Sequence, residues 1–318
     1  MQTLPPHSRA RDFQRRPKVG ERLRRVLARD RYLSVLLVFV LTVAAVSLMN
    51  PAFLSGKNLV DLLVQAAPVM IIGCGMTFVV LTGEIDISVG SQYGLLAALI
   101  GITSSPGEMG WSTPAVVGVI LLAGLGLGLI NGLLVAVARV PSIIATLGML
   151  TILRGITDQV MGGEWITDLP EGIRKLGTGT LGGVPVCLVV AGIVIVLTMV
   201  LARRTQLGLK LYAVGGNPDG AACARISPTR VRLFAFALTG LFTSVAALVA
   251  VPQQSVIESG IGAGMELVVV TAVLVGGTSI HGGRGGVIGT VIAALLLGSV
   301  RTILVFINLG EMLSLIHI

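Results

Sequence analysis

Apolar runs follow one another along almost the whole of this chain, and they leave it few folds to choose from. Nine such runs are marked out: Tyr32–Met49, Leu59–Leu81, Gly90–Thr103, Pro114–Ala138, Ser142–Met161, Val184–Ala202, Leu233–Val251, Met265–Gly276 and Gly286–Asn308. A bilayer core needs about 20 residues of helix to cross it. Inside it every backbone polar group must be satisfied within the protein. The expected fold is therefore an all-α polytopic membrane protein with about nine transmembrane helices present. The third and eighth runs are short for a bilayer, which predicts broken or partly unwound helices, buried in protein or facing water. Composition agrees, since only 12% of residues are charged, about half the ~25% of soluble domains.

The charges fall between the runs. The net charge is +8, but ten of the 23 Lys and Arg lie in residues 1–31 and six in Arg203–Arg232. That is the pattern of the cytoplasmic flanks of membrane helices, not of a nucleic-acid surface. Aromatic residues are 4% of the chain, too few for base stacking. With the amino terminus inside, eighteen Lys and Arg lie in cytoplasmic segments and three (Lys57, Arg174, Lys175) outside. Arg154 and Arg301 fall within spans. Residues 1–31 thus read as a basic cytoplasmic tail, its last part a basic helix suited to membrane lipids of an anionic leaflet. The tail is not read as a cleaved signal, because Tyr32–Met49 is long enough to span. Residues 32–312 read as the transmembrane domain.

SVGSQYGLLAALIGI and the span after it resemble GAGMELVVVTAVLVGG and the span after that. The copies begin at the third and eighth spans, so they run in opposite directions, a weak inverted repeat that places a translocation path at its interface. By that symmetry about ten spans are expected and one is missing. The last six residues, LSLIHI (Leu313–Ile318), are what CTG TCT CTT ATA CAC ATC encodes, a transposon end used in preparing sequencing libraries. The expectation is a non-native tail at 313–318 and a natural sequence that runs only to about Met312.

Catalytic and metal motifs are missing from the sequence. No phosphate-binding G-x-x-x-x-G-K-[ST] occurs, and GGTSIHGGRGG (Gly276–Gly286) lacks both the lysine and a preceding strand. Cys74, Cys187 and Cys223 are far apart, and His7, His281 and His317 have no matching ligands. No enzyme activity, cofactor or metal is expected. The sharpest local signal is GEIDISVGS, Gly83–Ser91, which sets Glu84 and Asp86 between two apolar spans. It reads either as a polar turn in which Asp86 or Ser88 caps the third helix, or as a hinge beside a solute path with its carboxylates paired to a basic residue. Arg154 lies mid-span with Asp158 four residues on, a spacing that suits an ion pair. Asn131, Glu266 and Arg301 pose the same choice between structural pairing and lining a polar path. Gly124, Gly128 and Gly132 make a small-residue stripe for close helix packing. In Arg203–Arg232, Leu207–Ala213 precedes a Gly215-Gly216-Asn217-Pro218 turn and a second helical piece, Ala221–Arg225.

GEIDISVGS, Ile130–Gly155, RRTQLGLKLYAVGGNPDGAACARISPTRVR and Glu266–Gly298, in that order, resemble the ribose-like permeases of bacterial ABC importers. The resemblance implies a pore of two permease subunits, the second a copy or a homologue. It implies an ATP-binding subunit with two nucleotide-binding domains and an extracytoplasmic sugar-binding protein. It assigns ATPase docking to Tyr212, Ala213, Gly215, Gly216, Asn217, Pro218, Ala221, Ala222, Arg225 and Ile226. Location in the bacterial cytoplasmic membrane follows. Glu84 departs from the family, which often has Gly there. Two rivals remain: a proton-coupled transporter using Asp86, Asp158 or Glu266, and a membrane scaffold without transport.

Overall fold

In the computed structural model, residues 31–306 are described. The expected tail at 1–30, the end of the ninth run and the final six residues lie outside the described residues. The helices are α1 (Arg31–Met49), α2 (Gly56–Leu81), α3 (Val89–Ser104), α4 (Thr113–Ala136), α5 (Ser142–Met161), α6 (Glu171–Thr178), α7 (Val186–Arg204), α8 (Gln206–Gly216), α9 (Pro218–Cys223), α10 (Pro228–Ala250), α11 (Met265–Val275) and α12 (Val287–Phe306). Seven helices among the described residues, α1, α2, α4, α5, α7, α10 and α12, are long and apolar enough to cross a membrane. The chain is an all-α polytopic membrane protein. The third and eighth runs form the shorter α3 and α11, of 16 and 11 residues.

Two helices make the centre. The apolar windows of α2 and α10 are each 78% buried, against 11–41% for the other five. Ser55 Oγ accepts the Asn58 N–H at the start of α2, and Ser227 Oγ accepts the Arg230 N–H at the start of α10, where Pro228 takes the first helical position. Pro68 sits buried inside α2; the donor it removes is tolerated because neighbouring helices enclose that turn.

Small residues let the central backbones touch. A Cβ on Gly124 of α4 would lie 2.5 Å from Gly240 O and 2.6 Å from Ser244 Cβ of α10. One on Gly132 would lie 2.9 Å from Leu233 Cδ1, and one on Gly128 would strike Phe236 O. The stripe therefore faces α10 of its own chain. On the α2 side of α10, a Cβ on Gly75 would lie 2.7 Å from Thr239 Cα.

The region before α7 differs from expectation. Val184 does not begin a helix; Thr180–Leu181 (β1) and Val184–Pro185 (β2) pair as an antiparallel hairpin, and α7 starts at Val186. Gly182 and Gly183, at φ 57° and 85°, form its left-handed turn. Lys175 and Glu171 pair at 2.8 Å on exposed α6.

Each short helix is reached through non-helical chain. Thr82–Ser88 leads from α2 into α3, and a 3-10 turn (Val251–Gln253) followed by residues 254–264 leads from α10 into α11. The second segment runs back along α3. Ile257 Cδ1 lies 3.3 Å from where a Gly101 Cβ would stand, Ile261 O lies 2.7 Å from that of Gly94, and the Glu266 carboxylate occupies that of Gly90. The two short helices thus meet amino end to amino end.

Candidate functional site

The turn into α3 is built around Asp86. Asp86, Ser88, Gln92 and Asn131 are fully buried. Ser88 donates to Asp86 Oδ1 twice, from its N–H at 2.9 Å and from Oγ at 2.6 Å. Asn131 Nδ2 of α4 lies 3.1 Å from Oδ2 and 2.7 Å from Ser88 Oγ. Gln92 Nε2 of α3 lies 3.3 Å from Oδ2. From α5, Ser142 Oγ and Thr146 Oγ1 accept the N–H groups of Ile85 and Ile87 at 3.3 and 3.1 Å. Burial pushes the Asp86 carboxyl up, and the hydrogen bonds from Ser88, Asn131 and Gln92 oppose that shift.

Two expectations for this turn are corrected. Ser88 holds the position before α3 but makes no side-chain cap, and the backbone N–H that Asp86 accepts is that of Ser88, not one of α3. Among the described residues Asp86 has no basic partner; its donors are neutral. Glu84 does pair with a cation, Arg232 of α10, at 3.0 Å with both side chains mostly buried. No spacing in the sequence announces that pair, because 148 positions separate its members.

Arg154 on α5 is corrected as well. It does not pair with Asp158, which is exposed. Its Nη1 donates to Ser259 O at 2.8 Å and Ile261 O at 3.2 Å. The arginine thus satisfies carbonyls of the non-helical segment before α11, which have no helix to accept for. Glu266, in the first turn of α11, accepts the Gly264 N–H at 3.2 Å, where the helix dipole favours a carboxylate. Among the described residues, Glu266 Oε2, Asn131 Oδ1 and Gln92 Oε1 are buried acceptors without a donor. Arg301 lies in α12, and its side chain is not among the described ones.

In the basic loop the expected glycine turn is absent. Gly215 and Gly216 are the last residues of α8, and the turn is the single residue Asn217, whose Oδ1 accepts the Gly220 N–H at 2.9 Å and caps α9. The second helical piece is Pro218–Cys223, not Ala221–Arg225. Gly215 is wedged between two turns. A Cβ there would run into Leu81 O at the end of α2 and Gly283 N in the glycine-rich loop before α12. Those turns also join each other, as the Gly283 N–H donates to Leu81 O at 2.9 Å. Tyr212 Oη donates to Gly285 O at 2.9 Å; burial raises its phenol, and nearby Arg203 acts against that.

The loop residues divide between two cavities. Pro218, Asp219 and Ala222 line one of about 510 Å³ together with Glu84, Arg139 and Arg232. Arg225 and Ile226 line another of about 280 Å³ between α8 and α10. Ala213 is half-buried and Ala221 is buried. Sequence reasoning missed Ser142, Thr146, Gln92 and Gly283. The only available signal for the last was GGTSIHGGRGG, where Gly282 and Gly283 take φ of 79° and 69°. Cys74 and Cys187 are buried thiols and Cys223 is exposed.

Residues 58–317 match the family described as branched-chain amino acid transport system / permease component. The ribose import permease protein RbsC of Haemophilus influenzae is 35% identical over 284 residues, covering 88% of this chain and 87% of that protein. RbsC of Bacillus subtilis is 35% identical over 283 residues, covering 88% and 86%. The autoinducer 2 import system permease protein LsrC of Escherichia coli O9:H4 is 33% identical over 280 residues, covering 88% and 81%. No solved structure matches the chain.

Proposed function

The chain belongs to the branched-chain amino acid transport system / permease component family, whose members are transport proteins rather than enzymes, and from that premise we propose that it is the pore subunit of an ATP-driven importer of ribose-like monosaccharides. In this reading the end carrying Arg203–Arg232 faces the cytoplasm, as does the amino terminus, and α3 and α11 complete a set of nine spans. A separate subunit with two nucleotide-binding domains docks on α8 and α9. An extracytoplasmic binding protein delivers the sugar, and a second permease copy or homologue completes the pore.

One observation carries the mechanism. Gly215 of α8 packs on both the Leu81–Gly83 turn and the Gly282–Gly283 turn. The first leads into interrupted α3, and the second lies between interrupted α11 and α12. A push on α9 is therefore delivered through one rigid contact to both halves of the proposed inverted repeat. Asp86 and Arg154 hold the two approaches to the meeting point. The neutral donors around Asp86, with no cation among the described residues beside it, suit hinge duty better than proton carriage. The unpartnered acceptors Glu266 Oε2 and Gln92 Oε1, near that junction, suit a hydroxyl-rich solute.

Backbone contact at Gly215 and open space at Gly216 give the test. Gly215→Val is expected to insert into the membrane and lose ATP-driven uptake of labelled ribose. Gly216→Ala, whose Cβ meets nothing within 4 Å, is expected to keep it. Uptake by Gly215→Val at the parental rate refutes the coupling route. Because relatives are named for ribose and for autoinducer 2, competition between those two solutes for uptake identifies the cargo.

A further inference from the structure

We propose that the cavity between α8 and α10 binds the phosphate headgroup of an anionic phospholipid, with the start of an acyl chain along its floor. Three cations, Lys210, Arg225 and Arg230, line this space of about 280 Å³ over Leu211, Val231 and Phe234. No acidic side chain among the described residues lines it. Among the described residues the two salt bridges are Lys175–Glu171 and Arg232–Glu84, so none of the three cations has a carboxylate partner there. Arg225 is held in place by the backbone: it takes φ 60°, and its N–H donates to Ala222 O at 2.9 Å.

Charge and greasiness are arranged along one direction. Arg230 stands in the first turn of α10, and Phe234 stands one turn further in, about 6 Å at 1.5 Å per residue. The cations are at the mouth and the apolar floor runs toward the membrane. Beside it, Leu207 and Leu209 of α8 are 37% and 72% exposed. A free phosphate would satisfy the mouth alone, whereas a lipid satisfies mouth and floor together. Basic pockets between membrane helices at the headgroup level have this chemistry. The ATPase is the poorer occupant, because Pro218, Asp219 and Ala222 of the proposed docking helix line the other cavity, beside Glu84 and Arg232.

The test is native mass spectrometry of the full chain, purified in detergent and incubated with phosphatidylglycerol or phosphatidylcholine. The parent is expected to retain phosphatidylglycerol selectively. Lys210→Gln with Arg230→Gln is expected to weaken that retention about fivefold per charge removed. Arg203→Gln with Arg204→Gln, which removes equal charge outside the cavity, is expected to leave it unchanged. Arg230→Gln alone, at an exposed side chain, serves if the double variant does not fold. Equal retention by parent and cavity variants overturns the proposal. So does displacement of the lipid by inorganic phosphate alone, which would make the ligand a free anion. Loss of ATPase capture with lipid retention unaltered would give the cavity to the ATPase and likewise overturn it.

Discussion

Seven residues, Thr82–Ser88, carry the chain from α2 into α3, whereas fourteen, Val251–Gly264, carry it from α10 into α11. The short turn is fixed by side chains of α3 and α4 that converge on buried Asp86, and by α5 hydroxyls that accept the turn's backbone N–H groups. The long segment is fixed through its own carbonyls, two of them held by Arg154, and by a bridge between Ile166 and Ile257. Both bring a short helix to the same meeting point. The difference shows that an interrupted membrane helix can be stabilised by placing an acceptor for clustered donors, or by bringing one donor to bare carbonyls. The first arrangement is dense and touches the basic loop through Leu81 and Glu84. The second is more open and runs along α3 from Gly101 to Gly90.

Substitutions in the short turn and in the long segment rank their rigidity. Asp86→Ala should have the largest effect, since it strands the Ser88 N–H and hydroxyl and takes one acceptor from the Gln92 and Asn131 amides, which keep Ser88 Oγ. At about 1–3 kcal/mol for each buried group left unpaired, the loss is expected at about 3 kcal/mol or more, read from thermal unfolding in detergent. Arg154→Met removes the donor for two carbonyls and should cost about 2 kcal/mol, together with faster proteolysis within residues 251–264. A larger loss for Arg154→Met than for Asp86→Ala would invert the ranking. Glu84→Gln should cost about 1 kcal/mol, and exchanging the pair as Glu84→Arg with Arg232→Glu should restore part of it. Asp158→Asn should stay within about 0.5 kcal/mol, because Asp158 is exposed and has no basic partner in the described residues.

The sequence made the apolar helices legible, because hydrophobic run length is the quantity a bilayer selects. It also singled out Asp86, Asn131 and Arg154, since polar residues within apolar surroundings need partners. It did not reveal the partners. For Arg154 the local i,i+4 spacing suggested Asp158, but carbonyls 105 and 107 positions away took the guanidinium. The Glu84–Arg232 pair and the Gly215–Gly283 contact are likewise tertiary. The β1–β2 hairpin was hidden because VPV reads equally well as the start of an apolar helix.

The central claim is that this bundle is moved by ATP hydrolysis delivered through α8 and α9. Labelled ribose accumulation in vesicles tests it most directly, with the permease alone under an imposed proton gradient and then with its ATPase, binding protein and ATP. The account predicts accumulation only in the second case. Uphill accumulation by the permease alone would contradict it.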